Sequence, residues 1–229
     1  GALAHVPDYL SLEEAATVPL TALTAMQSFE LMDVKPGQTL FISGGTGSLG
    51  AMVIPLAKSL GLTVATNGNG ENEERVRTLG ADIFIDYKKQ SYADVLSEVD
   101  LVLDTLGDRE LPTEFKILKE GGRLVSLRGM PNGRFARRMG LPWYKHFLLS
   151  LAGRKYDAMA ARKKQTYDFI FVHEDGAQLE SIASLFPAER PLTVSIDATF
   201  TLDQINEALA KVRAGGSQGK TIVRIGDFQ

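Results

Sequence analysis

The run Gly44-Gly-Thr-Gly-Ser-Leu-Gly50 constrains this chain more than any other feature, because of what stands on either side of it. Before it, residues 39–43 read as a buried strand. After it, Leu49, Met52, Val53, Leu56, Ala57 and Leu60 recur at helical spacing and give one apolar face. Within it, Gly45, Gly47 and Gly50 match the pattern G-x-G-x-x-G. Between a strand and a helix each glycine has a physical reason. The first permits a tight turn, the second clears the approach of a pyrophosphate to the backbone, and the third lets helix and strand pack closely. Free amides at the helix start then face the phosphates. The alternative reading is a glycine-rich packing turn with no ligand.

The rest of the chain keeps the same rhythm. Strands are expected at 62–66, 83–86, 101–104, 123–127 and 169–172, with helices at 71–79, 92–96, 109–118 and 178–186. A leading helix starts at the Ser11-Leu-Glu-Glu14 capping signal, is interrupted at Pro19 and ends near Asp33. Strands alternating with helices of this length specify an α/β fold. The expected form is a doubly wound, parallel, six-stranded sheet of Rossmann type in the order 3-2-1-4-5-6. Two further strands, 193–199 and 221–225, flank a helix after the Thr201 cap. They have no place in a completed six-stranded sheet, so they should pair with something else, and as open edges they invite another chain.

Composition narrows the chemistry. There is no cysteine, and His5, His146 and His173 are spaced neither as metal ligands nor as part of a catalytic triad. No apolar run reaches the ~18 residues of a membrane span, and the first residues lack a signal-peptide layout, so a cytoplasmic location is expected. Charge is uneven. Residues 134–164 hold nine Lys/Arg against one acid, +8, so with a net −3 overall the remainder carries −11. This basic segment, with Trp143, Tyr144 and Phe147 among its leucines, suits a helical lid with a solvated face or contact with a membrane surface. Nucleic acid is the least favoured partner.

The second strand ends in Thr66-Asn-Gly-Asn69, with no acid before Glu71. An acid there would bind the ribose hydroxyls of NAD and repel a 2′-phosphate. Asn67 and Asn69 can donate without repelling, and Arg75 or Lys88 would supply positive charge, so NADP is the expected cofactor. Two look-alikes fall away. Residues 214–221 nearly spell a phosphate-binding loop, but they follow a helix and open a strand, the reverse of what that loop requires. None of Tyr87, Tyr92, Tyr144, Tyr156 and Tyr167 is followed four residues later by lysine, which removes the proton-transfer pair of the other doubly wound dehydrogenases.

Taken in order, Val18-Pro-Leu-Thr-Ala-Leu-Thr-Ala25, Lys35-Pro-Gly-Gln38, the glycine-rich loop, Leu79-Gly-Ala-Asp82 with Ile85-Asp-Tyr87, Asp104-Thr-Leu-Gly107, Gly121-Gly-Arg-Leu-Val125 and Gly219-Lys-Thr-Ile-Val223 resemble the medium-chain dehydrogenase/reductases. The resemblance is strongest to their zinc-free, quinone oxidoreductase-like branch and covers essentially the whole chain. It implies NADPH-dependent hydride transfer to a quinone or an activated carbon–carbon or carbonyl double bond, without a metal. Residue by residue it implies that Gly47, Ser48 and Leu49 hold the pyrophosphate, while Asn67 and Tyr87 lie near the adenosine phosphate. Thr24 would stand near the nicotinamide, and Leu106, Gly107 and Leu127 along its pocket. Arg213 matches a position that in some members reaches the 2′-phosphate.

Members of that family begin with a β-rich substrate domain. The resemblance therefore implies that residues 1–34 are a helical segment leading from such a domain, absent from these residues. Residues 35–190 are then the dinucleotide-binding domain with the insertion 134–164, and 191–229 are strands returning to the substrate domain. No catalytic residue is assigned. A small-molecule substrate and a homo-oligomer are expected; the alternative is an NADP(H)-binding module without turnover of its own.

Overall fold

A computed structural model describes residues 1–189 and 191–226; the expected domain boundary at 190 and the last residues of the tail segment, 227–229, lie outside the described residues. The leading helix α1 (Leu12–Met32) opens as its capping signal requires. The Ser11 hydroxyl accepts from the Glu14 N–H at 3.2 Å, and Glu14 accepts in return from the Ser11 N–H at 2.9 Å. Pro19 does not interrupt it, contrary to expectation. A proline inside a helix costs roughly 3 kcal/mol. Here the same helix buries Ala22, Ala25, Phe29 and Met32 in the core, and that packing holds it through the proline.

Beyond α1 the chain alternates β1 (Thr39–Ile42), α2 (Ser48–Ser59), β2 (Thr63–Gly68), α3 (Glu73–Thr78), β3 (Ile83–Asp86), α4 (Tyr92–Val95), β4 (Val99–Asp104), α5 (Leu111–Ile117) and β5 (Leu118–Ser126). The basic insertion follows as α6 (Gly133–Arg138), α7 (Trp143–Ala152) and α8 (Arg154–Ala161), then β6 (Thr166–Phe169) and α9 (Gly176–Ser184). All six strands pair in parallel in the order β3-β2-β1-β4-β5-β6, as expected.

Side-chain alternation divides the core into two layers. Leu40, Ile42, Val64, Leu101 and Leu103 join the cluster that includes residues of α1, α2 and α9. Phe41, Ala65, Val102 and Leu124 join the other cluster, with Tyr92, Phe115 and Tyr156 from α4, α5 and α8. Period two within strands covered on both faces produces this division.

The sixth strand lies earlier than the 169–172 expected. Thr166 to Phe169 pair with Arg123 to Ser126, whereas Phe171 is 67% exposed. The register is pinned from the preceding residue, where buried Gln165 donates to the carbonyls of Phe115 and Leu118 at 3.1 and 2.6 Å. The aromatic alternation of 169–172 mimics a strand that the chain has already finished. The tail forms β7 (Ile196–Thr201), α10 (Ile205–Ala214) and β8 (Lys220–Arg224). The two tail strands pair with each other in parallel as a separate sheet, so each already has a partner within the chain.

Candidate functional site

The glycine-rich turn joins β1 to α2 at the C-terminal end of the sheet, and its three motif glycines stand in different surroundings. A Cβ on Gly45 would lie 2.1 Å from the Thr66 Oγ1, and one on Gly50 would lie 2.0 Å from the Gly45 carbonyl oxygen. Those two are glycine because the protein leaves no room. Gly47 differs: the nearest atom to its Cβ position is 4.0 Å away, and its φ of −85° suits any residue. Packing does not exclude a side chain there, and glycine serves as the N-cap of α2.

Side chains from β2 hold the turn. Thr66 Oγ1 accepts from the Gly45 N–H at 3.0 Å and donates to the Ile42 carbonyl at 2.7 Å, while Asn67 Oδ1 accepts from the Gly44 N–H at 2.8 Å. Arg75 of α3 donates to the Thr46 carbonyl, and also reaches the Gln218 carbonyl at 3.2 Å. Burial pushes its guanidinium pKa down, and its Nε is buried without a partner. Among the described residues, nothing accepts from the N–H groups of Ser48, Leu49 and Gly50. A helix start with three open amides, next to a glycine that packing does not require, can seat an anion.

Across the sheet, β4 ends in Asp104, fully buried and accepting from the N–H groups of Leu106 at 2.8 Å and Gly107 at 2.7 Å. The Ser126 hydroxyl also donates to it, and its carbonyl accepts from Leu127 N–H at 3.0 Å. The turn so held touches the glycine-rich loop, since a Cβ on Gly44 would lie 3.1 Å from Leu106. The two loops meet between β1 and β4, where strand order reverses and open α/β sheets bind their ligands. Beneath them Glu114 is fully buried, both carboxylate oxygens unpartnered; burial and then the charge of Asp104 push its pKa well above the usual range.

Of the residues expected at a cofactor site, Gly45, Gly47, Ser48, Leu49, Gly50 and Asn67 lie at this turn, Leu106 touches it from the β4 side, and Gly107 and Leu127 are tied to Asp104 at the end of β4. Thr24 is buried in α1, with its hydroxyl donating to the Leu20 carbonyl at 2.6 Å. Asn69 caps a short 3-10 turn, and its amide donates to the Glu71 carboxylate at 2.9 Å. Tyr87 and Lys88 are exposed beyond β3, and Arg213 is exposed on α10. Sequence reasoning missed Thr66 and Asp104, polar residues at the ends of otherwise apolar strands, which was the available signal. It also missed Lys220, which lines a small cleft with Ser48, Thr17 and Thr21 and whose pKa burial pushes down.

A zinc site is not offered by this donor set. The chain has no cysteine, and among the described residues no group of three His, Asp or Glu comes together.

A family model for zinc-binding dehydrogenases matches residues 79–223. A 2-methylene-furan-3-one reductase from Solanum lycopersicum is 37% identical over 126 residues, 54% of this chain and 32% of that protein. An NADPH-dependent alkenal/one oxidoreductase of Arabidopsis thaliana chloroplasts is 35% identical over 129 residues, 56% of this chain and 33% of that protein. The quinone oxidoreductase of Coxiella burnetii superposes with a TM-score of 0.79 at 24% identity, over 96% of this chain and 63% of that one. The matches thus span less than two thirds of each of these proteins. With its motifs in family order on a six-stranded parallel sheet, the chain belongs to the zinc-binding dehydrogenase family of medium-chain dehydrogenase/reductases.

Proposed function

We propose that the chain carries the NADPH site of a zinc-independent reductase that passes hydride to a quinone or to an activated carbon–carbon or carbonyl double bond. Gly47 carries the reading. The fold leaves no room for a side chain at 45 and 50; at 47 it leaves room, and a ligand pressed against the backbone is what we take to exclude one. In this reading the pyrophosphate accepts from the amides of Ser48, Leu49 and Gly50. Asn67, Asn69, Tyr87 and Arg213 serve the adenosine end, and Thr24, Leu106, Gly107 and Leu127 the nicotinamide end. Bound NADPH supplies the hydride; the chain's share is to orient it and exclude water.

The preference for NADPH rests on Asn67 at the end of β2, where an acid would repel the 2′-phosphate, and on Arg75 beside the loop. The Arabidopsis relative, an NADPH-dependent alkenal/one oxidoreductase, supports it. Independence of zinc rests on a donor set without cysteine and, among the described residues, without three His, Asp or Glu placed to share an ion. Residues 35–190 are taken as the cofactor-binding unit, and 1–34 and 191–229 as segments joining it to a substrate domain. The same reading makes the protein a cytoplasmic homo-oligomer acting on a small molecule, which fractionation and light scattering test. Calorimetric titration with NADPH and NADH tests the site itself. Tighter binding of NADPH is expected; tighter binding of NADH overturns the cofactor assignment, and no binding of either overturns the function.

A further inference from the structure

Helix α7 is amphipathic in the wrong sense for a helix that serves only the protein's own core. None of its residues is buried. Its inward side carries polar groups beside Leu149: a Cβ on Gly133 would lie 2.3 Å from the Ser150 hydroxyl and 3.5 Å from the His146 ring, so these two side chains face α6. Its outward side is apolar. Trp143, Phe147 and Leu151 recur every four residues, beside Tyr144 and Leu148, and their exposures run from 49% to 81%. Water is a poor home for such a stripe, since single exposed apolar residues are common but contiguous ones mark a binding surface.

Charge identifies the occupant. The stripe lies within the segment that carries nine Lys/Arg and one acid. Arg134 and Arg138 are tied to Asp168, and Lys164 to Glu120. Arg137, Lys145, Arg154, Lys155 and Arg162 have no ion-pair partner among the described residues. Two copies meeting through this face would bring like charges together with only Asp157 to offset them. An anionic lipid surface meets both demands, because tryptophan and leucine settle at the headgroup boundary and the cations meet the phosphates.

We propose that the α7 face docks on an anionic bilayer, with Trp143, Phe147, Leu148 and Leu151 entering the headgroup–acyl boundary and the unpaired Lys and Arg held at the headgroups. No helix among the described residues is long and apolar enough to cross the membrane, so the contact is at the surface. The proposal does not depend on NADPH binding.

Trp143 is the sole tryptophan, so its emission reports the contact directly. Equimolar phosphatidylcholine and phosphatidylglycerol vesicles at low salt should float the protein and shift that emission to the blue; high salt or pure phosphatidylcholine should abolish both. Phe147→Ser and Leu151→Ser should each weaken flotation about tenfold, and Lys145→Gln and Lys155→Gln about fivefold each, with unchanged melting because all four side chains are exposed. Absence of flotation and of any shift with the anionic vesicles overturns the proposal. So does a blue shift that grows with protein concentration in the absence of lipid, which would make a second copy the occupant.

Discussion

Two alanine substitutions three residues apart should separate folding from binding. In Gly50→Ala the new Cβ would lie 2.0 Å from the Gly45 carbonyl oxygen and 2.5 Å from its carbonyl carbon, both backbone atoms that cannot swing aside. Helix α2 would have to lift off the turn. Overpacking of this kind costs about 1–3 kcal/mol, and a backbone obstacle belongs at the upper end. At roughly 2–4 °C per kcal/mol for a chain of this size, the melting temperature should fall by about 6–12 °C. Gly47→Ala meets nothing nearer than 4.0 Å and needs no positive φ. Its unfolded state is less free, a gain of about 0.4–1 kcal/mol, but alanine is a poorer N-cap than glycine by a similar amount, so stability should change by less than about 1 kcal/mol. Binding is another matter. A methyl group in front of the Ser48 and Leu49 amides would disrupt hydrogen bonds to a charged pyrophosphate worth about 1.5–3 kcal/mol each, a loss of at least about tenfold in affinity. Thermal unfolding by circular dichroism and titration with NADPH, followed by its fluorescence, read the two effects independently. Wild-type affinity in Gly47→Ala would refute the pyrophosphate assignment. A melting loss there equal to that of Gly50→Ala would refute the account of why the two glycines differ.

Thr66→Val keeps shape but leaves the buried Gly45 N–H without its acceptor, at about 1–3 kcal/mol, so melting should drop by about 2–12 °C and Thr66→Ser should recover most of it. Glu114 has its pKa raised in the folded protein, so folding holds a proton that the unfolded chain releases above the ordinary value of 4.5. Stability therefore falls as pH climbs from that value toward the raised one, by up to about 1.4 kcal/mol per pH unit. Glu114→Gln should flatten that slope and melt higher than wild type at pH 8, measured by denaturation across the pH range; an unchanged slope would show that Glu114 is ionised in the folded state.

The alternation of apolar strands with helices and the glycine run are local properties of the chain, and they suffice for the six-stranded order and for the glycine-rich turn between β1 and α2. Each strand of the sheet's centre is an apolar run bounded by its own turn signal, so its existence does not await its neighbours. Other features depend on contacts between distant residues. Pro19 passes through a helix because Phe29 and Met32 anchor it in the core. Thr166 rather than Phe169 opens the sixth strand because Gln165 is fastened to the carbonyls that end α5 and begin β5. Asn69, a free donor on paper, gives one of its two amide N–H groups to Glu71, while Arg75 reaches the loop from α3. The glycine pattern alone treats its three members as equals. Tertiary structure separates two that the packing demands from one that it does not, because only the folded chain shows what would stand where each missing side chain would be.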